Sequence, residues 1–122
     1  MSHSILGQFP KIRLRRARRT AGLRRLVAET ELSVNDLIYP VFVLEGKDKV
    51  EPVESMPGIS RKSIDKLLIE LTEVRDLGIP AIALFPVIDV AQKTPDGIEC
   101  SNPDGLVQRS VRAIKAELPE LV

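Results

Sequence analysis

Two nearly continuous apolar runs of strand length, separated by one long amphipathic stretch, constrain this chain more than any other feature. The first, Asp36-Leu37-Ile38-Tyr39-Pro40-Val41-Phe42-Val43-Leu44, is rich in β-branched and aromatic residues and is ended by Gly46. The second is Ala81-Ile82-Ala83-Leu84-Phe85-Pro86-Val87. Runs that lack polar alternation belong to strands covered on both faces, which is the habit of parallel sheets. Between them Ile64, Leu67, Leu68, Leu71 and Val74 fall at helical spacing and form one core-facing stripe. The pattern predicts a helix over 61–77 capped by Ser60, with Gly78 in the left-handed C-cap position and Pro80 preventing any continuation. A strand, a helical crossover and a second strand make a βαβ unit, so the two strands are expected to lie parallel.

The rest of the body extends this alternation. Residues 46–58, with Pro52, Met56, Pro57 and Gly58, read as a loop, and so do residues 88–100. Ser101 or Asn102 is expected to cap a second helix with Pro103 in its first turn, Leu106, Val107, Val111 and Ile114 on one face, and an end before Pro119. Pro40 is the irregular feature: it cannot donate to a ladder, so it predicts an edge position or a bulge. A regular strand-helix alternation points to a doubly wound sheet or a (β/α)8 barrel, and either needs more strands than are present. The chain therefore reads as a truncated α/β piece.

Charge divides the chain in two. Residues 1–28 hold eight arginines and lysines and no acid, whereas the remainder holds ten basic and seventeen acidic residues, a net of −7. Gly7, Pro10 and Gly22 break the basic part, and only Leu23, Leu26 and Val27 fall at helical spacing, so an extended arm with a short helix near 21–29 is expected. Residues 1–34 would form this arm and residues 35–122 the α/β body. Arg13, Arg15, Arg16, Arg18 and Arg19 invite three readings. One is a solvated tail. Another is phosphate attachment to nucleic acid, which the lack of aromatic interleaving beyond Phe9 and the repulsive acidic body oppose. The favoured reading pairs the guanidinium groups with carboxylates of a neighbouring subunit, as their fork geometry suits interfaces.

A single cysteine, Cys100, gives no disulfide framework, and the start Met1-Ser2-His3-Ser4 lacks the pattern of a signal peptide. No apolar run approaches the roughly 18 residues that span a bilayer, so a cytoplasmic protein without membrane contact is expected. Chemistry in parallel α/β folds gathers at the carboxyl ends of the strands, here the loops 45–58 and 86–100. Neither contains a nucleotide-binding glycine motif, a metal-spaced Cys/His pair or a nucleophile with its base. Asp89, Asp96, Glu99 and Asp104 are weak candidates for a hard cation, and Cys100 is more simply an inert thiol. Lys47, Lys49, Lys62, Lys66 and Lys93 are scattered, and none sits in an apolar strand where desolvation lowers an amine pKa for Schiff-base work.

Five blocks in order then match something specific. They are Arg13-Leu14-Arg15-Arg16-Ala17-Arg18-Arg19 with Leu23-Arg24; Asp36 to Val43; Ser55-Met56-Pro57-Gly58; Gly78 to Val87; and Asn102-Pro103-Asp104-Gly105-Leu106-Val107-Gln108-Arg109. Together, over about residues 11–121, the chain resembles the porphobilinogen synthases, also called 5-aminolevulinate dehydratases. The resemblance implies an N-terminal arm plus the first two βα units of a (β/α)8 TIM barrel, within a homo-octamer whose arms wrap neighbouring subunits. It implies condensation of two 5-aminolevulinate molecules to porphobilinogen on the route to haem, through two Schiff-base lysines, with zinc or magnesium as cofactor. Those lysines and the metal ligands lie on later strands and have no counterpart here, so no catalytic or metal residue is expected in this chain and the fragment alone is expected to be inactive. Only Phe85 matches a position near the substrate pocket. The pair Cys100-Ser101 departs from the family's usual small residue and aromatic. The competing expectations are a basic-arm nucleic-acid module and a non-catalytic assembly partner of the full-length enzyme.

Overall fold

A computed structural model describes residues 15–122, which fall into two compact units divided between Leu32 and Ser33. In the first unit a 3-10 turn, Arg15–Arg18, precedes helix α1, Ala21–Leu26. Thr20 caps α1, its hydroxyl accepting from the Leu23 N–H at 3.2 Å. The helix expected over 21–29 stops three residues early. None of its side chains is buried, and a short helix without a packed face gains too little per added residue to propagate.

The second unit is a four-stranded sheet with helices on one face. Strand β1 is Ile38–Val43, β2 Val50–Pro52, β3 Ser60–Lys62 and β4 Ala81–Pro86; helix α2 is Ile64–Asp76 and α3 is Leu106–Glu117. The sheet order is β2-β3-β1-β4. Strands β1 and β4 run parallel in full register from Ile38 opposite Ala81 to Val43 opposite Pro86, so the expected βαβ crossover is present. The short hairpin β2/β3 was not anticipated. It lies in what reads as loop and helix start, because three-residue strands carrying Glu51, Arg61 and Lys62 show no apolar alternation.

That hairpin shortens α2. Ser60 belongs to β3, and Ser63 takes the N-cap position. At the other end Gly78 has φ +82°, the left-handed conformation that the C-cap reading requires. The predicted stripe is the core stripe: Leu67, Leu71 and Val74 are buried, and Ile64 and Leu68 pack at its margin. Helix α3 also begins later than expected, with Gly105 at its N-cap and the segment from Ser101 to Asp104 outside it. Its buried face is Leu106, Ser110 and Ile114, at i, i+4 and i+8, while Val111 lies off that line and is exposed. The Ser110 hydroxyl donates to the Leu106 carbonyl at 2.7 Å, so this buried polar group is satisfied within the helix.

Pro40 produces no bulge. The Leu44 N–H donates to Lys62 on the β3 side, and Val43 accepts from Val87 on the β4 side. Alternation along the strand therefore turns the position of the missing Pro40 donor toward the β3 side. Strand β3 pairs with β1 only at Phe42 and Val43, so no ladder bond is lost there. Tyr39, Val41 and Val43, with Ile82 and Leu84, face α2 and α3 and form the core with Leu106, Ile114, Leu118 and Leu121. The opposite face carries Pro40, Phe42, Ala83 and Phe85, whose two phenyl rings lie 5.6 Å apart and tilted by 38°. Beside the outer edge of β4, Val122 donates to the Pro80 carbonyl and accepts from the Ile82 N–H, both at 2.9 Å.

Candidate functional site

Because β1 and β4 are parallel, their carboxyl ends share one edge of the sheet, and the segments following them meet the N-terminal turns of α2 and α3. After β1 the chain turns through Glu45–Lys49 and folds onto the start of α2. The Asp48 N–H donates to Asp65 at 2.9 Å, Lys49 N–H donates to the Ser63 hydroxyl at 2.9 Å, and Lys66 pairs with Asp48 at 2.6 Å. Asp48 sits at φ +57°, an uncommon conformation outside glycine, held by these contacts on both sides.

After β4 the chain makes two 3-10 turns, Val90–Gln92 and Ile98–Ser101, before α3. Asp89 caps the first, accepting from the Ala91 N–H at 2.8 Å. Asn102 donates to Glu99 at 3.0 Å and accepts from the Asp104 N–H at 3.0 Å. Gly105 leaves no room for a side chain: a Cβ there would stand 3.1 Å from the Asn102 carbonyl and closer still to Gln108 and Glu99. Beside it lies an open concavity of about 350 Å³ lined by apolar Pro86, Ile88, Leu106 and Val107 together with Lys93 and Glu99. A mostly apolar concavity beside strand ends is the usual setting of small-molecule sites.

The candidate residues are distributed as follows. Phe85 is the penultimate residue of β4, on the sheet face away from the helices, is 49% exposed, and does not line this cavity. Among the described residues no three His, Cys, Asp or Glu side chains are placed to hold a metal ion. Asp89 is occupied as a cap, Glu99 accepts from the Asn102 side-chain amide, Asp104 faces Arg112 at 3.8 Å, and the Thr94 hydroxyl holds the Asp96 carboxyl below its ordinary pKa. Cys100 is an exposed free thiol at the cavity. Lys62 pairs with the half-buried Glu70 at 2.9 Å, and that carboxylate also accepts from the Tyr39 hydroxyl at 3.0 Å. The Asp48 carboxylate pushes the Lys66 amine up, the reverse of what attack on a carbonyl requires. Of the predicted interface arginines, Arg13 lies outside the described residues, and Arg15, Arg16, Arg18 and Arg19 are all exposed. Sequence reading missed the ion pair between Arg109 and Glu45, which joins the two carboxyl-end segments across 64 residues of chain. No local pattern signals a partner at that separation.

No helix among the described residues is long and apolar enough to cross a membrane. Comparison with known proteins then places the chain. The family model described as delta-aminolevulinic acid dehydratase matches residues 11–122. The delta-aminolevulinic acid dehydratase of Synechocystis sp. is 47% identical over 114 residues, covering 93% of this chain and 34% of that protein. That of Bradyrhizobium diazoefficiens is 44% identical over 110 residues, covering 90% and 31%. Among solved structures, delta-aminolevulinic acid dehydratase (porphobilinogen synthase) from Toxoplasma gondii ME49, in complex with the reaction product porphobilinogen, superposes with a TM-score of 0.81 at 41% identity, covering 90% of this chain and 32% of that one. The chain thus spans about a third of the length of the relatives it matches.

Proposed function

The chain belongs to the delta-aminolevulinic acid dehydratase family, and from that membership we propose that it forms the N-terminal arm and opening two βα units of a porphobilinogen synthase. The whole enzyme would condense two 5-aminolevulinate molecules to porphobilinogen, with loss of two waters, in tetrapyrrole and haem biosynthesis. The observation that carries this reading is the match, at 41% identity and over 90% of the chain, to a structure holding porphobilinogen. In this reading the helix-free sheet face with Pro40, Phe42, Ala83 and Phe85 turns inward in a (β/α)8 barrel, with Phe85 near the substrate pocket at the carboxyl end.

The chain's own residues would then shape and support the site and do none of the covalent chemistry. A Schiff-base lysine must be partly neutral to attack a ketone, which a dry or cationic pocket achieves by lowering its pKa. Lys62 and Lys66 are instead held by carboxylates. The zinc or magnesium of the family does not fit the described residues, among which no three ligand side chains converge, so no step is assigned to a metal here. Arg13, Arg15, Arg16, Arg18 and Arg19 are assigned to contacts with a neighbouring subunit in a homo-oligomer, in keeping with four of them being exposed and, among the described residues, in no ion pair within the chain.

The test compares the purified 122-residue chain with a protein carrying the same residues followed by the rest of a relative's sequence, both given 5-aminolevulinate and zinc or magnesium. Porphobilinogen should form only with the longer protein. Product from the 122-residue chain alone would overturn the assignment of catalysis to other residues, and an inactive longer protein would overturn the proposed reaction.

A further inference from the structure

Three side chains of α3 reach back and hold three main-chain carbonyls of the segment that precedes the helix. Gln108 donates to Cys100 at 2.8 Å, Arg112 to Pro103 at 2.7 Å, and Arg109, through Nε, to Asp104 at 2.8 Å. Arg109 differs from the other two because its Nη2 also pairs with Glu45, the first residue of the turn after β1. One planar guanidinium thus places two donors on two acceptors that belong to different carboxyl-end segments. A lysine ammonium, compact and at the tip of a flexible stem, has no such fork.

We propose that Arg109 is a positioning residue that straps the β1–β2 turn to the β4–α3 segment, so that the two are ordered together. The turn is already fastened to α2 at Asp48 and Lys49, and the β4–α3 segment to α3 at Cys100, Pro103 and Asp104. The Glu45–Arg109 pair links these two anchored pieces directly. A ligand that orders either segment at the carboxyl edge lowers the cost of ordering the other, without touching it. This coupling rests on the geometry of this chain and stands apart from which reaction the whole enzyme performs.

Hydrogen exchange on the 122-residue chain tests it, reading the amides of Asn102, Asp104 and Gly105, with those of Leu67–Val74 in α2 read alongside to report any change in global stability. Both partners are partly exposed, which puts the expected effect at about two- to fivefold. Glu45→Gln preserves size and should raise exchange by that factor at Asn102, Asp104 and Gly105, all more than 50 positions away in sequence, while leaving the α2 amides unchanged. Arg109→Lys should do the same, and both variants should raise exchange at Asp48 and Lys49. The double variant should add nothing to Arg109→Lys, and 0.5 M sodium chloride should reproduce the Glu45→Gln effect in the unaltered chain. Unchanged exchange at Asn102, Asp104 and Gly105 in Glu45→Gln would overturn the proposal, and so would additive effects of the two substitutions.

Discussion

Replacing Leu71 with alanine tests the central packing claim, that α2 meets the sheet through one defined stripe. Leu71 is fully buried in the cluster formed by Val41, Val43, Leu67, Leu106, Ile114, Leu118 and Leu121. Removing three carbons there forfeits their transfer free energy and leaves a void that a layer of helices on a sheet closes only in part. Leucine-to-alanine changes at such sites cost about 3 kcal/mol, within a range of about 2–5. With a urea dependence of about 1.5 kcal/mol per molar, the unfolding midpoint should fall by about 2 M. Ile69 is the control, two residues away on the same helix but 61% exposed, and Ile69→Ala should move the midpoint by less than about 0.5 M. Far-ultraviolet circular dichroism in urea reads both. Equal shifts, or a larger one at Ile69, would mean that α2 is rotated about its axis and that the stripe has been misassigned.

Four further outcomes follow from other contacts. Tyr39 is the chain's single tyrosine, so an ultraviolet titration reports it alone; burial first, then the hydrogen bond to Glu70 and the nearby Glu70 and Glu73 charges, raise its pKa, and Glu70→Gln should move the titration toward lower pH. Since the folded-state value is the raised one, the stability it contributes is complete below the ordinary value of 10 and lost as pH climbs through the folded pKa, which alkaline unfolding curves of Tyr39→Phe should lack. Asp36 behaves in the opposite sense: the Ser33 N–H and hydroxyl, at 2.7 and 3.0 Å, lower its pKa, so its contribution is present above the ordinary value of 3.8 and lost as pH falls through the folded one, and Asp36→Asn should flatten that part of an acid unfolding curve. Gly78→Ala should cost about 1–2 kcal/mol, read as a lower thermal midpoint, because φ is +82° while the nearest Val34 atom, at 3.6 Å, leaves room for a methyl group.

Where this chain's structure was legible, local chemistry sufficed. The α2 stripe and its Gly78 stop depend on the helical period and on one glycine's freedom at positive φ, and both are read correctly from the string of residues. The sequence reading places the starts of α2 and α3 too early, at Ser60 and at Ser101 or Asn102, although the observed caps Ser63 and Gly105 stand next to the first periodic residues, Ile64 and Leu106. The β3 ladder claims Ser60, and the contacts of Gly105 and Asn102 keep residues 101–104 out of α3. Pro40 shows the same limit from another side. Its tolerance depends on which neighbour its backbone faces, and β3 reaches only as far as Phe42.

Alone, then, the residue order determined the parallel βαβ unit, the core stripe of α2, the charge division between arm and body, and the five blocks that mark the family, because each is carried by periodicity, by a residue's intrinsic conformational range or by direct likeness. The tertiary structure decided the β2/β3 hairpin, the exposed side of α3, the lysines held by carboxylates, and the Glu45–Arg109 link across the carboxyl edge. Those depend on contacts between residues distant in sequence, and a pair separated by 64 positions leaves no trace in the spacing of either neighbourhood.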